Sequence, residues 1–318
     1  MPQPKRRYVT ADVFTDEMFG GNPVAVVLDA RGLSTAQMQS IALEFNYSET
    51  TFVLAPRHPT HTAHVRIFTP RIEVPFAGHP NIGTAFLLAR ELELHGTPTI
   101  DAFVFEEAAG LVSLRLIRDR GVTIGAELRA PEPLSIRSAV VRTVAAQCLS
   151  LPVDDIAVTI HPPQIISVGL PFLAVELGSR DALRRAKPNL TAYESLLPLD
   201  GADSIYAYTR DDTARPYSAE TTLHARMFCP FDGTIEDPAT GSATAATMAL
   251  LATLGNGLNA ERHWRVHQGV DMGRPSLLLG RTETRNGLVV ATYVSGHCVP
   301  VMEGSFVLEG ATDCAVDP

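Results

Sequence analysis

The chain has 318 residues, 45% of them hydrophobic, with 35 acidic against 26 basic side chains and a formal charge of −9. That length suits two domains, and a core of that size folds without disulfide or metal staples, while the net negative charge offers nucleic acid no attraction. Cys148, Cys229, Cys298 and Cys314 are too scattered for a disulfide framework or a zinc site, no apolar run follows Lys5-Arg6-Arg7, and the uncharged stretch from Pro238 to Ala260 is too short and polar to span a bilayer, so reduced thiols, no membrane association and a cytoplasmic location are expected.

Tyr8–Phe14 and Val24–Leu28 are rich in β-branched and aromatic residues and are expected to be strands. Ser34-Thr35 supplies a cap for a helix over Thr35–Asn46, where Met38, Ile41, Ala42 and Phe45 recur at helical spacing. Thr51–Leu54, His64–Phe68, Thr99–Phe105 and Leu111–Ile117 read as further strands. Between them, His79–Arg90 is apolar nearly all round, the pattern of a helix buried on every side. Pro131 and Pro133 make 129–136 the natural linker, with one half over 1–128 and another over 137–302. Ser242–Leu254 is the second half's counterpart of the buried helix.

The chain repeats itself once. His64-Val-Arg-Ile-Phe-Thr-Pro70 and His224-Ala-Arg-Met-Phe-Cys-Pro230 share four of seven positions at an offset of 160. After a three-residue insertion, Glu73–Ala89 and Glu236–Ala252 share seven of 17 positions at an offset of 163. Strand, turn, glycine and apolar helix come in the same order both times, so two copies of one α+β unit are expected, each wrapping strands around a central buried helix.

Gly78-His79-Pro80 and Gly241-Ser242-Ala243 open the two buried helices. A glycine there lets backbone approach a ligand closely, and the first-turn amides have no partner within the helix. With the helix dipole these amides form an anion site. Two such N-termini facing one cleft would suit a small carboxylate and the enolate-like species made from it. Singly, the motifs have ordinary readings: Pro80 as a first-turn proline, Ser242 as an N-cap. Duplicated, they point to a site containing Gly78, Thr240 and Gly241.

The segments Phe19-Gly-Gly-Asn-Pro-Val-Ala-Val-Val27, Tyr47-Ser-Glu-Thr-Thr-Phe-Val53, Phe68-Thr-Pro70, Pro75-Phe-Ala-Gly-His-Pro80, Glu236-Asp-Pro-Ala-Thr-Gly-Ser242 and Gln268-Gly-Val-Asp-Met-Gly-Arg-Pro-Ser276 resemble the successive signatures of the PhzF family of phenazine-biosynthesis isomerases. They occur in the family's order and cover nearly the whole chain. The resemblance implies the diaminopimelate-epimerase-like fold with two pseudo-symmetric halves, no cofactor and, as is usual in the family, a homodimer. It implies that a C-terminal strand, within about 303–318, returns to the first half. It assigns Glu49 as the acid/base and brings His79, Asp237 and Ser242 into the catalytic site. Related racemases and epimerases place a cysteine before each helix glycine; here those positions are Ala77 and Thr240, which disfavours a two-thiol mechanism. One carboxylate, Glu49, can instead remove a proton from one carbon and return it to another, as in a trans-2,3-dihydro-3-hydroxyanthranilate isomerase. The second half shows no clear counterpart of Ser48-Glu49-Thr50, so this acid reads as an asymmetry added to a symmetric frame, although an exposed strand start or a pair with Arg66 would also account for it.

Other constellations are weaker. His58, His61 and His64 are three apart, which on a strand sends neighbours to opposite faces and disfavours a metal site. Ser242 lacks a G-x-S-x-G elbow, and no dinucleotide or phosphate-loop motif occurs. Two further readings stay open: an epimerase or tautomerase of an amino-acid-like metabolite, and a metabolite-binding protein of the same fold without turnover.

Overall fold

A computed structural model describes residues 5–96, 100–211, 220–231, 234–255 and 257–307. The first half contains β1 (Arg6–Val13), β2 (Asn22–Val27), α1 (Thr35–Phe45), β3 (Glu49–Leu54), β4 (Ala63–Phe68), β5 (Glu73–Val74), α2 (Gly78–Leu94), β6 (Ala102–Glu107), β7 (Gly110–Asp119) and β8 (Val122–Arg129). The second contains β9 (Ser135–Ala139), α3 (Arg142–Cys148), β10 (Gln164–Ser167), β11 (Pro171–Glu176), α4 (Arg180–Arg185), α5 (Leu190–Leu196), β12 (Ile205–Arg210), β13 (Glu220–Phe228), β14 (Glu236–Asp237), α6 (Gly241–Leu254), β15 (Ala260–Gln268) and β16 (Ser276–Arg285). The last strand, β17 (Leu288–Phe306), serves both.

Alternation explains why the strands wrap. In β7, Val112, Leu114 and Leu116 are buried while Leu111, Ser113 and Arg115 are exposed, the period-two pattern of a sheet with one face on a core. That core centres on α2, buried at Ile82, Ala85, Phe86, Leu87 and Ala89. Strand pairing runs β1-β2-β3-β4-β6-β7-β8-β17 and returns to β1, a closed barrel around α2. In the second half the order β9-β10-β11-β12-β13-β15-β16-β17 curves around α6. Closing a sheet on itself removes the exposed edges that would otherwise pair with other chains.

β17 crosses from one half to the other. Its first part pairs with β16, its middle with β8, and its end with β1, where Gly304 stands opposite Tyr8. The remainder of the tail expected with it, 308–318, lies outside the described residues, as do Cys314 and Thr99.

Most expected elements are present within a few residues. Ser34 caps α1 through a reciprocal capping box with Gln37, and Asn46 ends the helix in the left-handed conformation. Residues 138–223 carried no readable pattern, yet they hold β10, β11, β12 and three short helices, α3, α4 and α5. Those helices are six or seven residues long, too short for a periodic signal, and gain their stability from a separate cluster including Leu149, Leu183 and Tyr193.

The repeat is kept for packing. Arg66 forms a two-pronged pair with Glu73 at 2.7 and 2.6 Å and lies over the Phe68 ring. Arg226 does the same with Glu236 at 2.9 and 2.7 Å over Phe228. Each pair ties a strand to the short strand leading into a buried helix. No helix among the described residues is long and apolar enough to cross a membrane.

Candidate active site

The N-termini of α2 and α6 meet at their glycines. A Cβ on Gly78 would lie 3.3 Å from Ser242 N and 3.4 Å from Gly241 Cα, so only glycine allows this approach at normal contact distances. Neither helix is capped by a side chain: the N-cap residues are Ala77 and Thr240, and neither makes a capping bond. The first-turn amides are therefore left for a ligand. The N-cap alternative for Ser242 is corrected here, since Ser242 lies inside the first turn, with Thr240 before it.

Above these termini is a cleft of about 230 Å³, smaller than the ~300 Å³ lower bound of drug-sized pockets and suited to a small metabolite. Glu49, Gly78, His79, Asp237, Thr240, Gly241 and Ser242 all line it. Apolar walls come from Ile72, Phe76, Leu170, Phe172 and Met227. Among the described residues lining it, none is arginine or lysine, whereas three are carboxylates: Glu49, Asp203 and Asp237.

At the floor, His79 is 4% exposed. Burial lowers its pKa to about 3, against a smaller opposing contribution from the Pro23 backbone, so the imidazole is neutral. Its Nδ1 lies 3.4 Å from Glu49 Oε2 and 3.3 Å from Asn22 Nδ2. Asp237 Oδ1 accepts from Asn22 Nδ2 at 2.8 Å and Ser48 Oγ at 3.0 Å, and its Oδ2 accepts from Thr240 Oγ1. Even so, burial outweighs these bonds and raises the Asp237 pKa to about 6. Gln268 completes the frame: its Nε2 donates to the Asp237 carbonyl at 2.9 Å and its Oε1 accepts from Thr240 N at 3.1 Å.

Asn22, Ser48, Asp203 and Gln268 were not singled out from sequence. Asn22, Ser48 and Gln268 do lie inside the quoted signature segments, which was the available signal. Asp203 reveals a correction. Thr50 stands opposite Phe68 in the first half and Ile205 opposite Phe228 in the second, so Ser48-Glu49 corresponds to Asp203-Ser204. The counterpart of the Ser48-Glu49 pair exists; its acid is shifted one place, which hides it from alignment. The Arg66 alternative for Glu49 is also set aside, because Arg66 is engaged by Glu73.

Two signatures far apart in sequence are joined by one side chain. Arg274 donates to the carbonyls of Gly20 and Gly21 at 2.7 and 2.8 Å and pairs with Asp12 at 2.6 Å. This fixes the turn that delivers Asn22. Of the three histidines, His58 and His61 sit in the turn before β4, their rings 5.0 Å apart, and His64 is on the strand. His61 pairs with Glu106, and no group of three potential ligands forms a metal site among the described residues.

A family model described as phenazine biosynthesis-like protein, PhzC-PhzF, matches residues 11–304. The chain belongs to the PhzC-PhzF family. An isomerase of Mesorhizobium japonicum described as uncharacterized is 37% identical over 309 residues, covering 95% of this chain and 99% of the relative. The trans-2,3-dihydro-3-hydroxyanthranilate isomerase of Pseudomonas chlororaphis is 35% identical over 302 residues, again covering 95% and 99%. The crystal structure of a PhzF-family phenazine biosynthesis protein from Bacillus anthracis superposes with a TM-score of 0.81 at 24% identity, covering 96% of this chain and all of the other. The PhzC-PhzF protein described here is an isomerase of the diaminopimelate-epimerase-like fold.

Proposed function

We propose that this PhzC-PhzF protein is a cofactor-independent isomerase that moves a proton on a small carboxylate, with Glu49 as the single acid/base. The observation that carries the reading is the cleft's composition: two uncapped helix N-termini, three carboxylates and, among the described residues lining it, no arginine or lysine. With no cation among the described lining residues, a substrate carboxylate is met by the backbone amides of the two N-termini and by hydroxyls such as that of Ser242. Glu49, Asp203 and Asp237 favour donors on the same molecule, which narrows the class to small carboxylates bearing amino or hydroxyl groups.

In this mechanism the amides of Gly78-His79 and Gly241-Ser242 hold the carboxylate. Glu49 removes a proton from an acidified carbon, and the charge that develops on the carboxylate oxygens is stabilised by the helix N-termini. Glu49 then returns the proton to a second carbon on the same face. Neutral His79 orients the Glu49 carboxylate without neutralising it, and Asp237, fixed by Asn22, Ser48 and Thr240, borders the reacting atoms. The reading includes a homodimer in the cytoplasm, with no nucleic-acid or membrane partner.

The test is solvent deuterium incorporation. In ²H₂O, trans-2,3-dihydro-3-hydroxyanthranilate and a panel of small amino and hydroxy carboxylates are followed by NMR. The expected result is incorporation at one carbon together with a shifted double bond. Exchange with inversion at the same carbon, and no shift of the double bond, would establish an epimerase instead.

A further inference from the structure

Glu107 ends β6 inside the first half and plays no part in the mechanism above. It is 9% exposed, and neither carboxylate oxygen accepts a hydrogen bond. Its side chain meets that of Asn81, which is fully buried in the first turn of α2. Asn81 Nδ2 donates to the Ala77 carbonyl at 2.9 Å, which fixes the amide's orientation and leaves Asn81 Oδ1 buried without a donor. Both Glu107 oxygens and Asn81 Oδ1 are thus buried without a hydrogen-bond partner. An ionised Glu107 would add an uncompensated charge there; a protonated one supplies the missing donor.

The second half shows what belongs at this position. β4 pairs with β6 with His64 opposite Glu106, and β13 pairs with β15 with His224 opposite His267. The next residues, Glu107 and Gln268, are thus equivalents, each the last of its strand. Gln268 is neutral and fully buried, and it holds the head of α6 by donating to Asp237 O and Thr240 Oγ1 while accepting from Thr240 N. A carboxylic acid, with one donor and one acceptor, is its closest acidic analogue.

We propose that Glu107 is a positioning residue that stays in its neutral acid form and, through a hydrogen bond to Asn81, fixes the Ala77–Gly78 peptide at the head of α2. The peptide is planar, so holding the Ala77 carbonyl also sets the direction of the Gly78 N–H, which borders the cleft. Burial lifts the Glu107 pKa to about 8, against a smaller lowering contribution from the Asn81 side chain, in keeping with a retained proton at neutral pH. The consequence for ligand binding rests on the anion-cleft reading given above, whereas the protonation state does not.

The experiment is an infrared difference spectrum of wild type minus Glu107→Gln at pH 7, with thermal melting and sulfate titration of both proteins and of Glu107→Leu. The expected spectrum shows a carboxylic-acid carbonyl band lost in Glu107→Gln and no ionised carboxylate band lost. Glu107→Gln should melt at or above the wild-type temperature and bind sulfate within about twofold of wild type, while Glu107→Leu melts lower and binds at least about fivefold more weakly. An ionised carboxylate band assigned to Glu107 overturns the proposal, as does Glu107→Gln melting below Glu107→Leu. Should Glu107→Leu fail to fold, the spectrum and the Glu107→Gln rescue decide. Wild type failing to bind sulfate would count against the anion cleft and leave the spectrum to decide the proton.

Discussion

Replacing either glycine at the helix crossing should give unequal results, because the two Cβ positions differ. On Gly78 the new methyl would lie 3.3 Å from Ser242 N and 3.4 Å from Gly241 Cα. On Gly241 the nearest atoms would be Phe14 Cζ at 3.5 Å, Val294 Cγ1 at 3.7 Å and Gly78 Cα at 3.8 Å, all ordinary contacts. Overpacking in Gly78→Ala costs about 1–3 kcal/mol, offset by less than ~1 kcal/mol of improved helix propensity. Its methyl also fills the space against the Ser242 amide. Losing one charge-assisted hydrogen bond to an anion, ~1.5–3 kcal/mol, corresponds to roughly 10- to 100-fold weaker binding. Gly241→Ala should stay within about 0.5 kcal/mol of wild type in stability and about threefold in affinity. Urea melts and calorimetric titration with sulfate measure both quantities. Equal affinity losses in the two variants, or wild-type binding by Gly78→Ala, would refute the crossing as the anion site.

Four further outcomes are expected. Glu49→Gln removes basicity while keeping shape, so deuterium incorporation into substrate should vanish while ligand affinity stays within about tenfold; wild-type exchange would transfer the role to His79 or Asp237. Arg274→Met leaves Asp12 buried without its cation and should cost ~3 kcal/mol in a urea melt, with the Asn22 turn loosened; a loss under ~1 kcal/mol would show that the turn holds itself. Turnover should be unchanged after dialysis against a chelator, and activity lost there and restored by zinc or magnesium would overturn the cofactor-free reading. Glu107 sets a pH dependence: with its pKa raised from an ordinary 4.5 to about 8, the unfolded state releases the proton first, so this group's contribution to stability is intact below about 4.5 and is lost as pH rises to about 8. The stability of Glu107→Gln relative to wild type should therefore grow across that window by up to ~1.4 kcal/mol per pH unit, and parallel pH profiles would contradict the assignment.

Much of this was legible in the residues themselves. The buried helices showed because α2 and α6 are apolar on all faces, and the cleft showed because a glycine motif opens each of them. The repeat showed wherever packing demanded the same residue twice, as with Arg66 and Arg226 over their phenylalanines. It faded where the halves had diverged in chemistry while keeping geometry: Glu49 against Ser204, and Glu107 against Gln268. Such pairs share a strand position but not a side chain, and strand register is a property of hydrogen bonding across the sheet that one-dimensional alignment does not contain. Residues 138–223 were unreadable for another reason, since short helices and four- to six-residue strands carry too few turns or alternations to set a period.

The shared strand β17 has a consequence for synthesis on the ribosome. β1 is made long before one of its partners, the far end of β17, which follows close to 300 residues later, with Arg6 opposite Phe306. Until β17 arrives, the β1 and β8 edges that it joins stay unpaired, and the growing chain must carry them open. Pairings of such long range are slow to form, and open edges invite association with other nascent chains. Truncation anywhere within β17 should therefore harm the N-terminal half at least as severely as the C-terminal half, and chaperone dependence during translation should exceed that of the finished protein.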